Sequence, residues 1–162
     1  MLLKAFVALI VTTTLWMTTP AAASEIDFSK AVVVGSGSKT VVEFTDPDCP
    51  FCRKASTYFD ARPEIKRYVF FYPLPRHPKA KEKVQHILSL PENERALAYH
   101  DAMSGKFDNI QVLHVTPKGI KLQEEQMEIV RKNKVNATPT FMINGRVIEG
   151  LDQKRVEEAL GK

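Results

Sequence analysis

Thr40-Val41-Val42-Glu43-Phe44-Thr45-Asp46-Pro47-Asp48-Cys49-Pro50-Phe51-Cys52-Arg53 is the stretch on which the fold turns. Its first six residues are a β-branched and aromatic run between the Gly35-Ser36-Gly37 turn and Pro47, which reads as a short buried strand. A helix start follows, with Asp48 as a candidate cap and Pro50 in the first turn, where a missing N–H costs nothing. The two cysteines therefore fall at a strand-to-helix junction. Two residues between them let both sulfurs lie on one helical turn, close enough to bond to each other or to hold one metal ion. Cys49 sits where unsatisfied N–H groups and the helix dipole stabilise an anion, so its thiolate is expected to be favoured and to act as nucleophile. Cys52, deeper in the helix, is then the resolving thiol.

Working outward, Tyr68-Val69-Phe70-Phe71-Tyr72 is a second strand candidate, stopped by Pro73, Pro75 and Pro78. From Lys79 to about Ser104 the period is helical, with Val84, Ile87 and Leu88 on one face, a break at Pro91, then Leu97, Tyr99 and Met103. Ser89 and Glu92 fit a capping box for the second helix of this pair. A further helix is expected from about Ile120 to Lys134 with Met127 and Val130 inward. Thr138-Pro139-Thr140-Phe141-Met142-Ile143 and Arg146-Val147-Ile148-Glu149 flank Asn144-Gly145, the strongest hairpin signal in the chain. A last helix, about Asp152 to Leu160, completes an alternating order that belongs to an α/β fold around a central sheet.

The N-terminal segment is different material. Lys4 precedes an apolar and Thr-bearing run, and Ala21-Ala22-Ala23 is a small-residue cleavage pattern, so residues 1–23 read as a secretory signal peptide. The run is shorter than the roughly 20 apolar residues a membrane span needs. Residues 24–162 are then expected to be one exported, soluble domain, in a compartment where disulfide chemistry persists. With 162 residues, 44% of them hydrophobic, the chain suits a single core. Its 23 basic and 19 acidic residues fit neither disorder nor a nucleic-acid binder.

Rival uses of the two cysteines are weaker. A structural disulfide would close a four-residue loop and stabilise little by chain entropy. A zinc site needs two more ligands, and His77, His86, His100 and His114 show no paired spacing. Attached c-type haem requires a His after the second Cys, where Arg53 stands. A metal-binding or metal-delivery module using both thiolates, and a noncatalytic adaptor, remain the alternative classes.

The residues also carry a family resemblance. Phe44-Thr45-Asp46 before Cys49-Pro50-Phe51-Cys52, together with Thr138-Pro139 before the hairpin, resembles the thioredoxin-fold disulfide oxidoreductases of the periplasmic Dsb group. Tyr99-His100-Asp101-Ala102-Met103-Ser104-Gly105-Lys106 and Asn144-Gly145-Arg146-Val147-Ile148-Glu149-Gly150 are similar to later segments of the disulfide isomerases' catalytic domain. The resemblance implies a thioredoxin fold with a helical insertion at about 79–117, and thiol-disulfide exchange with protein substrates without a bound cofactor or metal. It implies a redox partner that recycles the dithiol, and a periplasmic location. It makes Pro139 cis beside the dithiol and lets the backbone of Thr138 pair with a substrate strand, with Pro50 and Phe51 adding contacts. A glycan on the Asn136-Ala137-Thr138 sequon would obstruct that site.

Glu43, six residues before Cys49, occupies the place where such proteins commonly bury an acid beneath the dithiol. It is the candidate proton relay to Cys52, and if buried without a partner its removal should stabilise the fold. The isomerases' dimerisation domain has no counterpart in the short stretch between Ser24 and the first strand, so a monomer is expected.

Overall fold

Both faces of the strand that leads to the cysteines are covered, which is why its last five residues are buried without alternation. The computed structural model describes residues 26–161, so the expected leader at 1–23 lies outside the described residues. After a 3-10 turn at Phe28–Lys30 come β1 (Val32–Val34), β2 (Lys39–Thr45), α1 (Pro50–Asp60), β3 (Ile65–Phe71), α2 (Ala80–Ser89) and α3 (Glu92–Met103). Then follow α4 (Pro117–Lys132), β4 (Thr140–Ile143), β5 (Arg146–Glu149) and α5 (Gln153–Ala159). The sheet order is β1-β3-β2-β4-β5, with β2 and β3 parallel and the other neighbours antiparallel. This is the expected α/β architecture. Among the described residues no helix is long and apolar enough to cross a membrane.

Strand periodicity sorts the core. Val41 of β2 joins Ala55 and Phe59 of α1, Phe141 and Ile143 of β4, and Val156 of α5 on one face. Val42 and Phe44 point the other way, against Phe70 and the Ile129 and Val130 side of α4. A third cluster surrounds the thiols: Cys49 and Cys52 pack with Val69, Phe71, Val84, Ile87, Leu88 and Tyr99. Phe44, Phe70, Phe71 and Phe141 are fully buried, each favouring the fold by roughly 1.5–3 kcal/mol. The hairpin closes as expected, Asn144 and Gly145 both taking positive φ (49° and 77°), as a two-residue type I′ turn requires.

Several expectations need correction. β1 adds a strand to the expected order; it is three residues long and exists through its pairing with β3. β3 begins at Ile65, three residues before the aromatic run. Leu97 points outward, 66% exposed, while Arg95, Ala98 and Tyr99 turn inward. Ser89 and Glu92 form no capping box: the α3 cap is Pro91, without a side-chain bond, and the Ser89 hydroxyl donates to the Gln85 carbonyl and accepts from Thr116 N–H. α4 starts earlier, capped by Thr116, whose hydroxyl accepts from Gly119 N–H at 3.2 Å. Its inward residues include Gln126 rather than Met127, which is half-buried. Gln126 earns its buried place by accepting from Phe71 N–H at 2.8 Å and donating to the Lys30 carbonyl at 2.6 Å. Gly119 is a packing glycine: a Cβ there would lie 2.6 Å from the Gln85 carbonyl oxygen and 2.1 Å from Ser89 Oγ, so α4 lies tight on α2.

Candidate active site

Cys49, not Asp48, is the N-cap of α1, and Pro50 follows it inside the first turn. The Cys49 carbonyl accepts the first helical bond, from Arg53 N–H at 3.1 Å, while the N–H groups of Phe51 and Cys52 are left without helical acceptors. They turn toward the Cys49 sulfur. The Cys49 pKa falls to about 5, chiefly because the Cys52 thiol donates to the Cys49 thiolate. Burial opposes this, and the N–H groups of Cys52 and Phe51 and the Thr138 hydroxyl reinforce it. Cys52 moves the other way, its thiol pushed far up by burial and by the adjacent Cys49. Both are free thiols, 1% and 0% exposed. One helical turn thus holds an activated thiolate and a protonated reserve.

The Thr138–Pro139 bond is cis, and the Thr138 carbonyl oxygen lies 3.6 Å from Cys49 Sγ. Gly150 N–H donates to the Pro139 carbonyl at 2.7 Å, tying this loop to the end of the hairpin. Thr138 and Pro139 are buried, Pro50 is exposed, and Phe51 is 60% exposed with Lys54 Nζ 5.7 Å above its ring. An apolar side chain held in water beside a reactive sulfur is suited to meeting a polypeptide.

Glu43 is fully buried, but it has partners. Arg67 Nη1 donates to Glu43 Oε2 at 3.1 Å and to the Tyr99 hydroxyl at 2.9 Å, and that hydroxyl donates to Glu43 Oε1 at 3.2 Å. Arg67 reaches on to Asp60 at 2.5 Å, and Asp60 to the ring of His100 at 3.3 Å. The expectation of an acid buried alone is therefore corrected: the parallel register brings Arg67 of β3 opposite Val41, on the face of the sheet that Glu43 shares.

Sequence reasoning missed three features. Asp46 is fully buried; its Oδ1 accepts from Asp48 N–H and its Oδ2 from Leu74 N–H, both at 2.7 Å, with His77 Nδ1 2.8 Å from Oδ2. It fixes the loop before Cys49 to the loop after β3. Arg53 donates to both oxygens of Asp108, at 2.8 and 2.7 Å, and the nearly buried Lys83 bridges Asp48 and Asp108 at 2.5 Å each. The Arg53 bond holds the Asp108 carboxyl well below the usual range. Gly105, with φ of +83°, allows this approach, since a Cβ would come within 2.9 Å of Asp108 Oδ2. Third, the buried hydroxyls of Thr45 and Thr138 have no hydrogen-bond partner among the described residues. Each stands beside a sulfur, Thr45 by Cys52 and Thr138 by Cys49, where a thiolate would accept from it. No group of three or more His, Cys, Asp or Glu among the described residues is placed to hold a metal ion.

A family model described as a thioredoxin-like domain matches residues 27–161. The crystal structure of a disulfide interchange protein from Neisseria gonorrhoeae is 30% identical, superposes with a TM-score of 0.69, and is matched over 84% of this chain and 96% of that one. A thioredoxin-like oxidoreductase from Silicibacter pomeroyi is 20% identical with a TM-score of 0.64, over 83% and 93% of the two chains. The thiol-disulfide exchange protein alpha-DsbA2 from Wolbachia pipientis is 16% identical with a TM-score of 0.59, over 81% and 86%. The last two likenesses are of fold. No curated protein sequence matches the chain.

Proposed function

The chain belongs to the thioredoxin-like domain family, and on that footing we propose that it is an exported, periplasmic thiol-disulfide oxidoreductase that exchanges disulfides with protein substrates through Cys49 and Cys52. The observation that carries this reading is geometric: two free thiols share one helical turn, Cys49 at its N-cap, with the Thr138 carbonyl of the cis-proline loop 3.6 Å from the Cys49 sulfur, and the surroundings lower the Cys49 pKa and raise that of Cys52. In the reducing direction the Cys49 thiolate attacks a substrate disulfide, forming a Cys49–substrate disulfide and expelling one substrate thiolate. Cys52 then gives up its proton and attacks the Cys49 sulfur. The second substrate thiolate leaves, the substrate has gained two electrons, and Cys49 and Cys52 are joined. Oxidation of a substrate dithiol runs the same steps backwards, and a redox partner restores the starting state.

Stabilising the Cys49 thiolate stabilises the reduced dithiol, so the favoured direction is electron uptake from substrate thiols. The cis Thr138–Pro139 loop, with Pro50 and Phe51, lines the place where the substrate strand lies. Glu43 serves as proton relay from its buried position on β2, held there by Arg67.

The test is trapping with a model disulfide substrate such as insulin. Cys52→Ser should accumulate a mixed disulfide and Cys49→Ser should form none. A trap on Cys52 alone would reverse the roles. Equilibration with glutathione should give a potential above about −200 mV; a value near −270 mV would mark a reductant.

A further inference from the structure

Asp48 and Arg53, the chain neighbours of Cys49 and Cys52, line an open groove of about 410 Å³ whose other charged residues are Arg76, Lys79, Lys83 and Asp108. Its two carboxylates are already engaged, each with Arg53 and Lys83. Two of its cations are not: Arg76 and Lys79 are exposed and form no ion pair with any described residue. They are placed by the same contact that places the cysteines, since their neighbour His77 is held on Asp46, three residues before Cys49. Lys54, exposed above Phe51, also lacks an ion pair with any described residue. Asp46, the remaining acid of the cysteine loop, is sealed inside. The rim formed by this groove therefore offers unengaged positive charge, on Arg76 and Lys79, and no unengaged carboxylate.

We infer that this rim selects protein substrates whose reacting cysteine is flanked by aspartate or glutamate, with Arg76 and Lys79 receiving the carboxylates. The inference rests on the thiol-disulfide reading of the site and adds the substrate class. The chemistry is unchanged: Cys49 attacks the sulfur of the flanked cysteine, and the carboxylates raise the encounter rate and orient the strand.

Three disulfide-bridged peptides of equal length, with Asp/Glu, Asn/Gln or Lys next to each cysteine, are reacted with the reduced protein at low ionic strength. Each rate is divided by the same peptide's rate with dithiothreitol, which removes the effect of the flanks on sulfur reactivity. The acidic peptide should react about tenfold faster than the neutral one, and the advantage should shrink toward unity as salt is raised to about 0.5 M. In Arg76→Glu/Lys79→Glu the preference should invert in favour of the lysine peptide. The salt dependence is read on the unaltered protein, so that arm of the test stands even where the charge-reversed variant folds poorly. Equal normalised rates for the acidic and neutral peptides, or an unchanged preference in the charge-reversed variant, would overturn the inference while leaving the dithiol chemistry standing. No exchange with any peptide would overturn both.

Discussion

Arg67 Nη1 lies 3.1 Å from Glu43 Oε2, joining a cation that is 2% exposed to an acid that is 0% exposed in the middle of the sheet face beneath α1 and α3. Removing one partner of such a pair strands the other's charge away from water. Glu43→Leu should therefore destabilise the protein, by about 3 kcal/mol since Arg67 keeps Asp60 and Tyr99. Adding Arg67→Met should recover most of the loss. Urea midpoints of the two variants check this; a more stable single variant would mean that the pair contributes nothing.

The thiolate should be visible in the pH dependence of labelling. Iodoacetamide should modify Cys49 and spare Cys52, with a rate that rises through a midpoint near pH 5. Peptide mapping after partial alkylation identifies the site. A midpoint near 9 would remove the physical basis of the nucleophile assignment.

Linkage gives a second signature. The Cys49 thiol ionises near its ordinary 9.0 when unfolded and near 5 when folded, so between those values the unfolded chain binds more protons. The stability of the reduced protein should rise with pH across that window and fall away as the pH drops toward 5. The oxidised protein has no thiol there to ionise, so the gap between the two melting curves should narrow on acidification. Paired thermal melts at pH 5 and 8 measure it.

Thr45 separates stability from turnover. Its buried hydroxyl lacks a partner while Cys52 is protonated and can donate once Cys52 ionises. Thr45→Val should stabilise the reduced protein by about 1 kcal/mol and slow resolution of the mixed disulfide about tenfold. Thr45→Ser should resolve at close to the native rate. Single-turnover release of a labelled peptide thiol distinguishes them.

Gly119 tests the α2–α4 contact by the sign of a substitution. Alanine in place of an interior helical glycine ordinarily stabilises by up to about 1 kcal/mol. Here the new Cβ meets the Gln85 carbonyl at 2.6 Å, so Gly119→Ala should lower stability by about 1–3 kcal/mol. A higher denaturant midpoint would show that the two helices can part without loss.

What was legible in the sequence was what local chemistry decides. The run Thr40 to Thr45, the proline behind the first cysteine and the Asn144-Gly145 turn each restrict the backbone within a few residues, and strand, helix start and hairpin follow from them. The sulfurs were legible because two intervening residues fix their helical phase. The partners of Glu43 were not, since Arg67 and Tyr99 arrive from 24 and 56 positions away through strand pairing and helix packing. Arg53 and Asp108 meet across 55 positions for the same reason. Leu97 faces water because it stands two positions from Tyr99, on the opposite side of a helix that turns about 100° per residue, and the capping box at Ser89 lost to a hydroxyl already committed to Gln85 and Thr116.

The four-charge contact of Asp48, Arg53, Lys83 and Asp108 bears on any attempt to pare the molecule down. Joining β3 directly to α4 would shorten the chain to a minimal scaffold, but it would take Lys83 and Asp108 with it and leave Arg53 and Asp48 facing each other at 3.4 Å with no other counter-ion. It would also strip Val84, Ile87, Leu88 and Tyr99 from the cluster that shields the thiols, flooding Cys52 with water. The resolving thiol would then ionise more readily and lose its contrast with Cys49. The helices between β3 and α4 are thus part of the redox centre's insulation, and a trimmed descendant would have to reinvent that insulation before it regained a directional dithiol.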